Sequence, residues 1–381
     1  MSSNPESPPL SGLRVVELAA KGPAPFAVML LADLGAEVVR VDRPGTAHDP
    51  VAARFVDRGR RSIALDLKAP EGLAVLEELV ERADVLVEGY RPGVAERLGI
   101  GPQECLARNP RLVYARMTGW GQDGPLAQRA GHDLNFLAVC GALGPLGEAD
   151  RPPPPPLNLL GDFGGGALYL ALGVLAALHE RERSGRGQVV DAAMVDGVLG
   201  MLTAYHGLLA AGLWSAERES NLVDGGAPWY RCYRTADGEF VAVGTLEPRF
   251  YLELMERLGL DPEEWPMDDR ARWPEQRHLF EEVFAERTRE EWEQLFEGSD
   301  ACVSPVFSLA EAADAPHLRE RRSFVAVDGD RVPAAAPRLG RTPAAVAAPS
   351  GPAGSDGEAI LVELGIEPER RYRLRMLGAV A

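Results

Sequence analysis

The apolar positions of the first half of the chain fall into short runs separated by helical spacings. Residues 13–18 read as a strand, and Lys21-Gly22-Pro23-Ala24-Pro25 turns into a helix running to about Leu34. Gly35 ends that helix, and residues 37–41 form the next strand, a βαβ opening. Residues 70–82 carry amphipathic helical spacing. Residues 85–88 are a strand followed by the loop 89–93, and residues 112–117 are another, ending at Thr118-Gly119-Trp120-Gly121. This alternation predicts a parallel, Rossmann-like sheet. Ligands of such sheets bind beyond the carboxyl ends of the strands, where Arg40, residues 89–93 and residues 118–121 stand.

The second half changes character. A helix is expected from near Asp162 to near Arg183, then a short strand at 188–191 and a helix over about 195–213. Residues 215–226 are polar and contain glycine, as a linker would. Residues 229–235 and 239–244 flank Asp237-Gly238, a hairpin signal. Helices follow near 248–258, 275–286 and 289–296. Residues 333–352 form a long Pro/Ala-rich connection, and the last elements, about 357–364 and 367–377, are helices. The expected fold is α/β: a Rossmann-like large domain over 1–214, a linker at 215–226 and a smaller α+β domain over 227–332. A second linker at 333–352 leads to helices at 353–381 that return to the large domain.

Charge narrows the partners. The net charge is −17, from 40 basic and 57 acidic residues, which argues against nucleic acid or an anionic membrane. Against that background, residues 40–68 are a basic island: Arg40, Arg43, Arg54, Arg58, Arg60, Arg61 and Lys68 against Asp42, Asp49, Asp57 and Asp66. Such an island suits an anionic ligand, although a solvated surface run has the same composition. Cys105, Cys140, Cys232 and Cys302 are scattered without metal-type pairing and read as buried free thiols of a reducing, cytoplasmic compartment. The polar, proline-rich start, residues 1–10, does not read as a signal peptide. The apolar run at 163–178 is short for a membrane span and is expected to be a buried core helix. The βαβ opening lacks G-x-G-x-x-G, and no P-loop or H-E-x-x-H motif occurs.

The chain is organised around residues 130–166. Ala130-Gly131-His132-Asp133-Leu134-Asn135 opens this stretch and Asn158-Leu159-Leu160-Gly161-Asp162-Phe163-Gly164-Gly165-Gly166 closes it, with five prolines between them, Pro152 to Pro156. Glycine beside His132 and Asp162 permits close approach of backbone or ligand. A histidine and a carboxylate facing one small site can move protons from two sides. The same residue types also serve as a structural histidine and a helix N-cap.

With these motifs placed, the sequence resembles the α-methylacyl-CoA racemase branch of the family III CoA-transferase superfamily. The markers are residues 13–18, 35–44, 61–68, 115–122, 130–133, 161–166, 224–228 and 242–248. The resemblance implies a 2-methylacyl-CoA substrate whose two stereoisomers at carbon 2 are interconverted through an enolate. It implies His132 and Asp162 as the two proton-transfer groups, with Glu247 hydrogen-bonded to His132. The thioester oxygen would be received by N–H groups at the start of the helix near Asp162. CoA would run past Arg40, the backbone of Ser62, Ile63, Ala64 and Leu65, the loop residue Arg91, and Ala130, Gly131, Asp133, Leu134 and Asn135. Asp133 and Asn135 are also read as structural hydrogen-bonding residues. No metal or separate cofactor is implied, since CoA is part of the substrate. Family members are interlocked homodimers whose active sites combine the large domain of one subunit with the small domain of the other. The methionines that line the acyl site of some relatives are reduced to Met194 and Met201, which leaves the acyl preference open. The alternatives are CoA transfer between carboxylic acids through Asp162 and a non-catalytic acyl-CoA-binding protein.

Overall fold

The structure, a computed structural model, describes residues 7–381; the opening residues 1–6 of the polar start lie outside the described residues. Strands β1 (Arg14–Leu18), β2 (Glu37–Asp42), β3 (Arg60–Ala64), β4 (Val85–Glu88), β5 (Val113–Thr118) and β6 (Val189–Ala193) form one sheet. Their order is β3-β2-β1-β4-β5-β6 and every neighbouring pair is parallel. The order reverses between β1 and β4, the crevice where sheets of this kind take ligands. Successive residues of β1 point to opposite faces. Val16 and Leu18 join a core with Leu76, Leu86, Tyr114, Ile360 and Leu361, while Val15 joins Val28, Leu31, Val87, Leu170 and Val174. A sheet buried on both faces needs the near-continuous apolar runs seen in these strands.

β3 lies at the sheet edge, and its outer side is bonded by the end of the chain. The Ser62 N–H donates to Asp356 Oδ2 at 2.9 Å, and the Asp356 N–H returns to the Ser62 carbonyl at 2.9 Å. The Ala381 N–H donates to the Ala64 carbonyl at 3.2 Å, and Leu65 bridges to Val380. Helices Gly357–Glu363 and Pro368–Met376 thus pack onto the large sheet.

The chain divides into two compact units. The first holds residues 1–140, 156–201 and 319–381, and the second holds 141–155 and 202–318. These ranges place 141–155 with the second unit and 202–214 outside the first. Residues 215–226 are internally tied: Asp224 Oδ1 accepts the Asn221 and Gly226 N–H groups, and Asn221 bonds both ways to Ser215. The second unit has an antiparallel sheet, β7 (Tyr230–Arg234), β8 (Phe240–Gly244) and β9 (Val303–Pro305), in that order. Helices Pro248–Leu258, Trp273–Phe284 and Arg289–Phe296 close an aromatic core of Trp229, Tyr233, Phe280, Phe284 and Trp292. A short hairpin, β10 (Phe324–Val327) and β11 (Asp330–Pro333), lies in the first unit, with Asp330 ion-paired to Arg54.

Three local expectations need correction. The helix expected over 195–213 is two, Met194–Met201 and Thr203–Ala210, broken at Leu202. The apolar run expected to be a buried core helix belongs to a 26-residue helical stretch, Leu159–Ser184, which by length and composition alone is apolar enough to cross a membrane. Leu170, Ala171, Val174 and Ala177 are buried, but Leu168 and Leu172 are 52% and 63% exposed. Only one side of an all-round apolar helix finds a sheet to cover it. Of the four cysteines only Cys105 is buried; Cys140 is intermediate, and Cys232 and Cys302 are exposed. Cys232 sits on the outer strand of a three-stranded sheet, and Cys302 precedes β9 in a left-handed backbone conformation.

Candidate functional site

At the carboxyl ends of β1, β2 and β4 lies a cavity of about 1220 Å³. Its wall includes Lys21, Gly22, Arg40, Arg43, Lys68 and Tyr90, and the C-terminal return adds Ser350, Ala353 and Gly378. Most of the basic island does not face this space as free charge. Arg58 is bound to Asp33, Arg60 is buried against Glu17, and Arg54 and Arg61 pair with Asp330 and Glu363. Arg40 lines the cavity but spends its guanidinium on Asp42 at 2.9 Å and Asp57 at 3.0 Å. Burial works against the Arg40 charge, yet Asp42, Asp57 and Glu17 outweigh it and raise its pKa. Arg43 and Lys68 have no ion-pair partner among the described residues and are exposed at the cavity wall. They are the cations of the island best placed to meet an anion.

A second cavity of about 240 Å³ is lined by His132 together with Gly89, Tyr90, Arg91, Ala130 and Gly131, among others. Lys21 and Tyr90 line both cavities, so the two adjoin. Burial, and after it the charge of Glu88, raises the Tyr90 pKa, so its hydroxyl is available as a donor at neutral pH. The His132 loop is seated by Phe136. Side chains at Gly119 or Gly131 would collide with its ring, and Trp120 meets it edge-on at 4.7 Å between centroids.

Asp162 is not at the start of an ordinary helix. It is the fourth residue of a wide-turned π-helix, Leu159–Ala167, which runs on into helix Leu168–Ser184. Such turns are rare and concentrate at functional sites. The expected oxyanion role for N–H groups near Asp162 therefore needs correction. The Asp162 N–H is already donated to Asp133 Oδ1 at 2.7 Å, and the Phe163 N–H reaches the Asn158 carbonyl at 3.3 Å. The π-turn is packed so tightly that a Cβ on Gly165 would lie 2.7 Å from the nearest atom of Val198.

Asp162 and His132 are held by the same turn of chain. His132 precedes helix Asp133–Val139 and donates its N–H to Asn135 Oδ1 at 3.0 Å, while Asp133 takes the Asp162 N–H. The Asp162 carboxyl is half-buried and accepts from Asn158 Nδ2 at 3.4 Å. Burial raises its pKa first. Asp133 adds to the rise, while the Asn158 hydrogen bond and the His132 charge oppose it. Asn158 and Phe163, on either side of Asp162, line the larger cavity, and Phe163 stacks on Phe26 at 4.4 Å. His132 thus lines the smaller cavity, while Asp162 stands between two residues of the larger one, its Oδ2 3.6 Å from where a Cβ on Gly22 would lie.

The remaining sequence candidates separate. Leu65 lines the larger cavity, whereas Ser62, Ile63 and Ala64 are 0–2% exposed on β3, and the outward backbone groups of Ser62 and Ala64 are taken by Asp356 and Ala381. Leu134 is exposed, and Arg91 is exposed in its loop. Glu247 belongs to the second unit. It is exposed and stands at the start of helix Pro248–Leu258, where its carbonyl accepts from Phe250 and Tyr251. Asn158, Lys21 and Tyr90 carry no assigned role in the sequence reading. All three lie inside segments the sequence marks, Asn158 at the start of the motif ending at Gly166, Tyr90 in the loop 89–93 and Lys21 at the turn after β1.

Residues 10–357 match the family described as CoA-transferase family III. The α-methylacyl-CoA racemases of Mus musculus and Homo sapiens are each 48% identical to this chain, over 369 and 371 residues, and the match covers 96% of both partners. Succinyl-CoA–D-citramalate CoA-transferase of Chloroflexus aurantiacus is 33% identical over 372 residues, 91% of each chain. Among solved structures, a CAIB/BAIF family protein from Brucella suis superposes with a TM-score of 0.80 at 28% identity, covering 94% of this chain and all of that one.

Proposed function

As this chain belongs to CoA-transferase family III, we propose that it is a racemase of 2-methylacyl-CoA thioesters working by 1,1-proton transfer. Two nearly full-length racemase relatives at 48% identity support the substrate class. The observation that carries the mechanism is the joint suspension of His132 and Asp162 from residues 132–135. In one direction His132 takes the carbon-2 proton, the C–H electron pair moves into the bond to carbon 1, and the thioester oxygen becomes negative. Asp162 then returns a proton to the opposite face. In the other direction the roles exchange. A carboxyl whose proton is held above the ordinary range suits the delivering role. The larger cavity takes the CoA moiety, with Arg43 and Lys68 toward its phosphates. Arg40 acts there as part of the wall more than as a free cation.

The reading includes an interlocked homodimer in a reducing cytoplasm, in which Glu247 of one subunit hydrogen-bonds His132 of the other. The exposed side of helix Leu168–Ser184 supports it, since an apolar face of that kind is commonly covered in an assembly. No cofactor beyond the substrate's CoA enters the reaction as proposed.

Incubation with (2R)- and (2S)-methylacyl-CoA in deuterated water, with a free carboxylic acid present, tests the assignment. The expected result is deuterium at carbon 2 and inversion, lost on the order of 10²–10⁴-fold in His132→Ala, the usual worth of a general base. CoA appearing on the added acid, without exchange and indifferent to His132→Ala, would establish transfer through Asp162 instead. Binding without either reaction would leave a non-catalytic binder.

A further inference from the structure

The π-helix that carries Asp162 is fastened to the His132 loop by one carboxylate. Asp133 is 8% exposed, and its Oδ1 accepts the Asp162 N–H at 2.7 Å. A Cβ on Gly161 would come 2.4 Å from that same oxygen, so this approach exists because residue 161 is glycine. The second oxygen, Oδ2, is buried and has no hydrogen-bond partner among the described residues. A buried carboxylate oxygen left without a donor costs stability and calls for a reason. Capping its own helix is not that reason, because His132 occupies the cap position and Asn135 receives its N–H.

We propose that Asp133 is a positioning residue for the proton transfer. It locks Asp162 to the turn that follows His132, so that the two proton-transfer groups keep one spacing, and it sets a fixed negative charge behind the Asp162 carboxyl. The proposal rests on the reading of Asp162 as one of the two proton-transfer groups. The charges acting on Asp162 are Asp133, which favours its protonated form, and His132, which opposes it. The other elements packed on the π-helix turn their charges elsewhere. Asp196 of helix Met194–Met201 acts on Cys140, and Asp33 of helix Pro23–Asp33 is paired with Arg58. Arg116 of β5 binds Glu88 and Glu96, Asp191 of β6 takes its hydrogen bond from Gln122, and Arg181 of helix Leu168–Ser184 pairs with Asp84. Lys21, ahead of helix Pro23–Asp33, lines the adjoining cavities.

The test is the pH profile of carbon-2 exchange in the full-length enzyme and in Asp133→Asn, Asp133→Ala and Asp162→Asn. Asp133→Asn keeps the shape and an acceptor oxygen but removes the charge. Exchange should persist, with the limb carried by Asp162 displaced to lower pH. Asp133→Ala removes the tether, and kcat should fall on the order of 10²-fold with KM little changed, as expected for a displaced reacting group. An inactive Asp162→Asn, together with an unmoved limb in Asp133→Asn and full turnover in Asp133→Ala, would overturn the proposal alone. Undiminished exchange in Asp162→Asn would overturn the underlying reading and the proposal with it. If Asp133→Ala shows no cooperative unfolding transition, the Asp133→Asn profile decides.

Discussion

Single residues here carry charges whose partners lie far along the chain. Asp162 shows what that costs. Its pKa is raised in the folded protein, chiefly by burial, so the folded state holds the proton more tightly than the unfolded chain does. The stability this group contributes is complete below the ordinary carboxylate range and is lost as pH rises through the raised value. Above the raised value the ionised carboxylate is a burden, and there Asp162→Asn should unfold at a higher temperature than wild type while losing activity. The advantage should vanish in acid, where both proteins are neutral at this position. Thermal unfolding measured from acid to alkaline pH reads it, and an Asp162→Asn midpoint below wild type at the alkaline end would contradict it. Arg40 gives a second expectation. Arg40→Ala leaves Asp42 and Asp57 without their cation at the wall of the larger cavity. KM for acyl-CoA should rise more than kcat falls, because the loss is shared by ground and transition states. Steady-state kinetics with unchanged KM would remove Arg40 from the binding wall.

Among the elements, those with local signals were legible in the sequence. The helix at 70–82 and the strand at 85–88 coincide with Pro70–Arg82 and Val85–Glu88, since proline opens the first and an apolar run defines the second. The π-helix was not legible, because Gly161, Gly164, Gly165 and Gly166 carry no periodicity. Its wide turn is set by Asp133 and by close contact with Val198, both distant in sequence. The hairpin of β10 and β11 lay hidden in a stretch too short to alternate clearly. The closure of the β3 edge also depends on distant partners, and it yields an expectation. Asp356→Ala strands the fully buried Ser62 N–H. An unsatisfied buried donor costs about 1–3 kcal/mol, which urea denaturation resolves. No change in midpoint would mean that another group takes over the bond.

For the whole molecule, sequence reading gave a parallel sheet with a second unit, and the structure has both. It placed the basic island as an anion dock by sign alone. The folded chain spends most of that sign on Glu17, Asp33, Asp42, Asp57, Asp330 and Glu363. Composition shows how much charge a segment holds but not which distant carboxylates will claim it. The site candidates nearest one another in sequence, His132, Asp133 and Asn135, do share one turn, whereas Glu247 belongs to the other unit. If activity needs a partner subunit's Glu247, dilution should abolish it as the dimer dissociates. Sedimentation and exchange measured over the same concentration range should fall together, and a monomer with full activity would refute the assembly.

The edge bond between Ser62 and Asp356 spans 294 positions. On a ribosome adding roughly 5–20 residues per second, β3 therefore waits about 15–60 s for its partner. The entire second unit is synthesised in that interval. Throughout it the nascent sheet presents an open edge of the kind that recruits other chains. The larger cavity meanwhile lacks the wall supplied by Ser350, Ala353 and Gly378. A message truncated near its end should therefore yield an aggregating chain rather than a weakened enzyme.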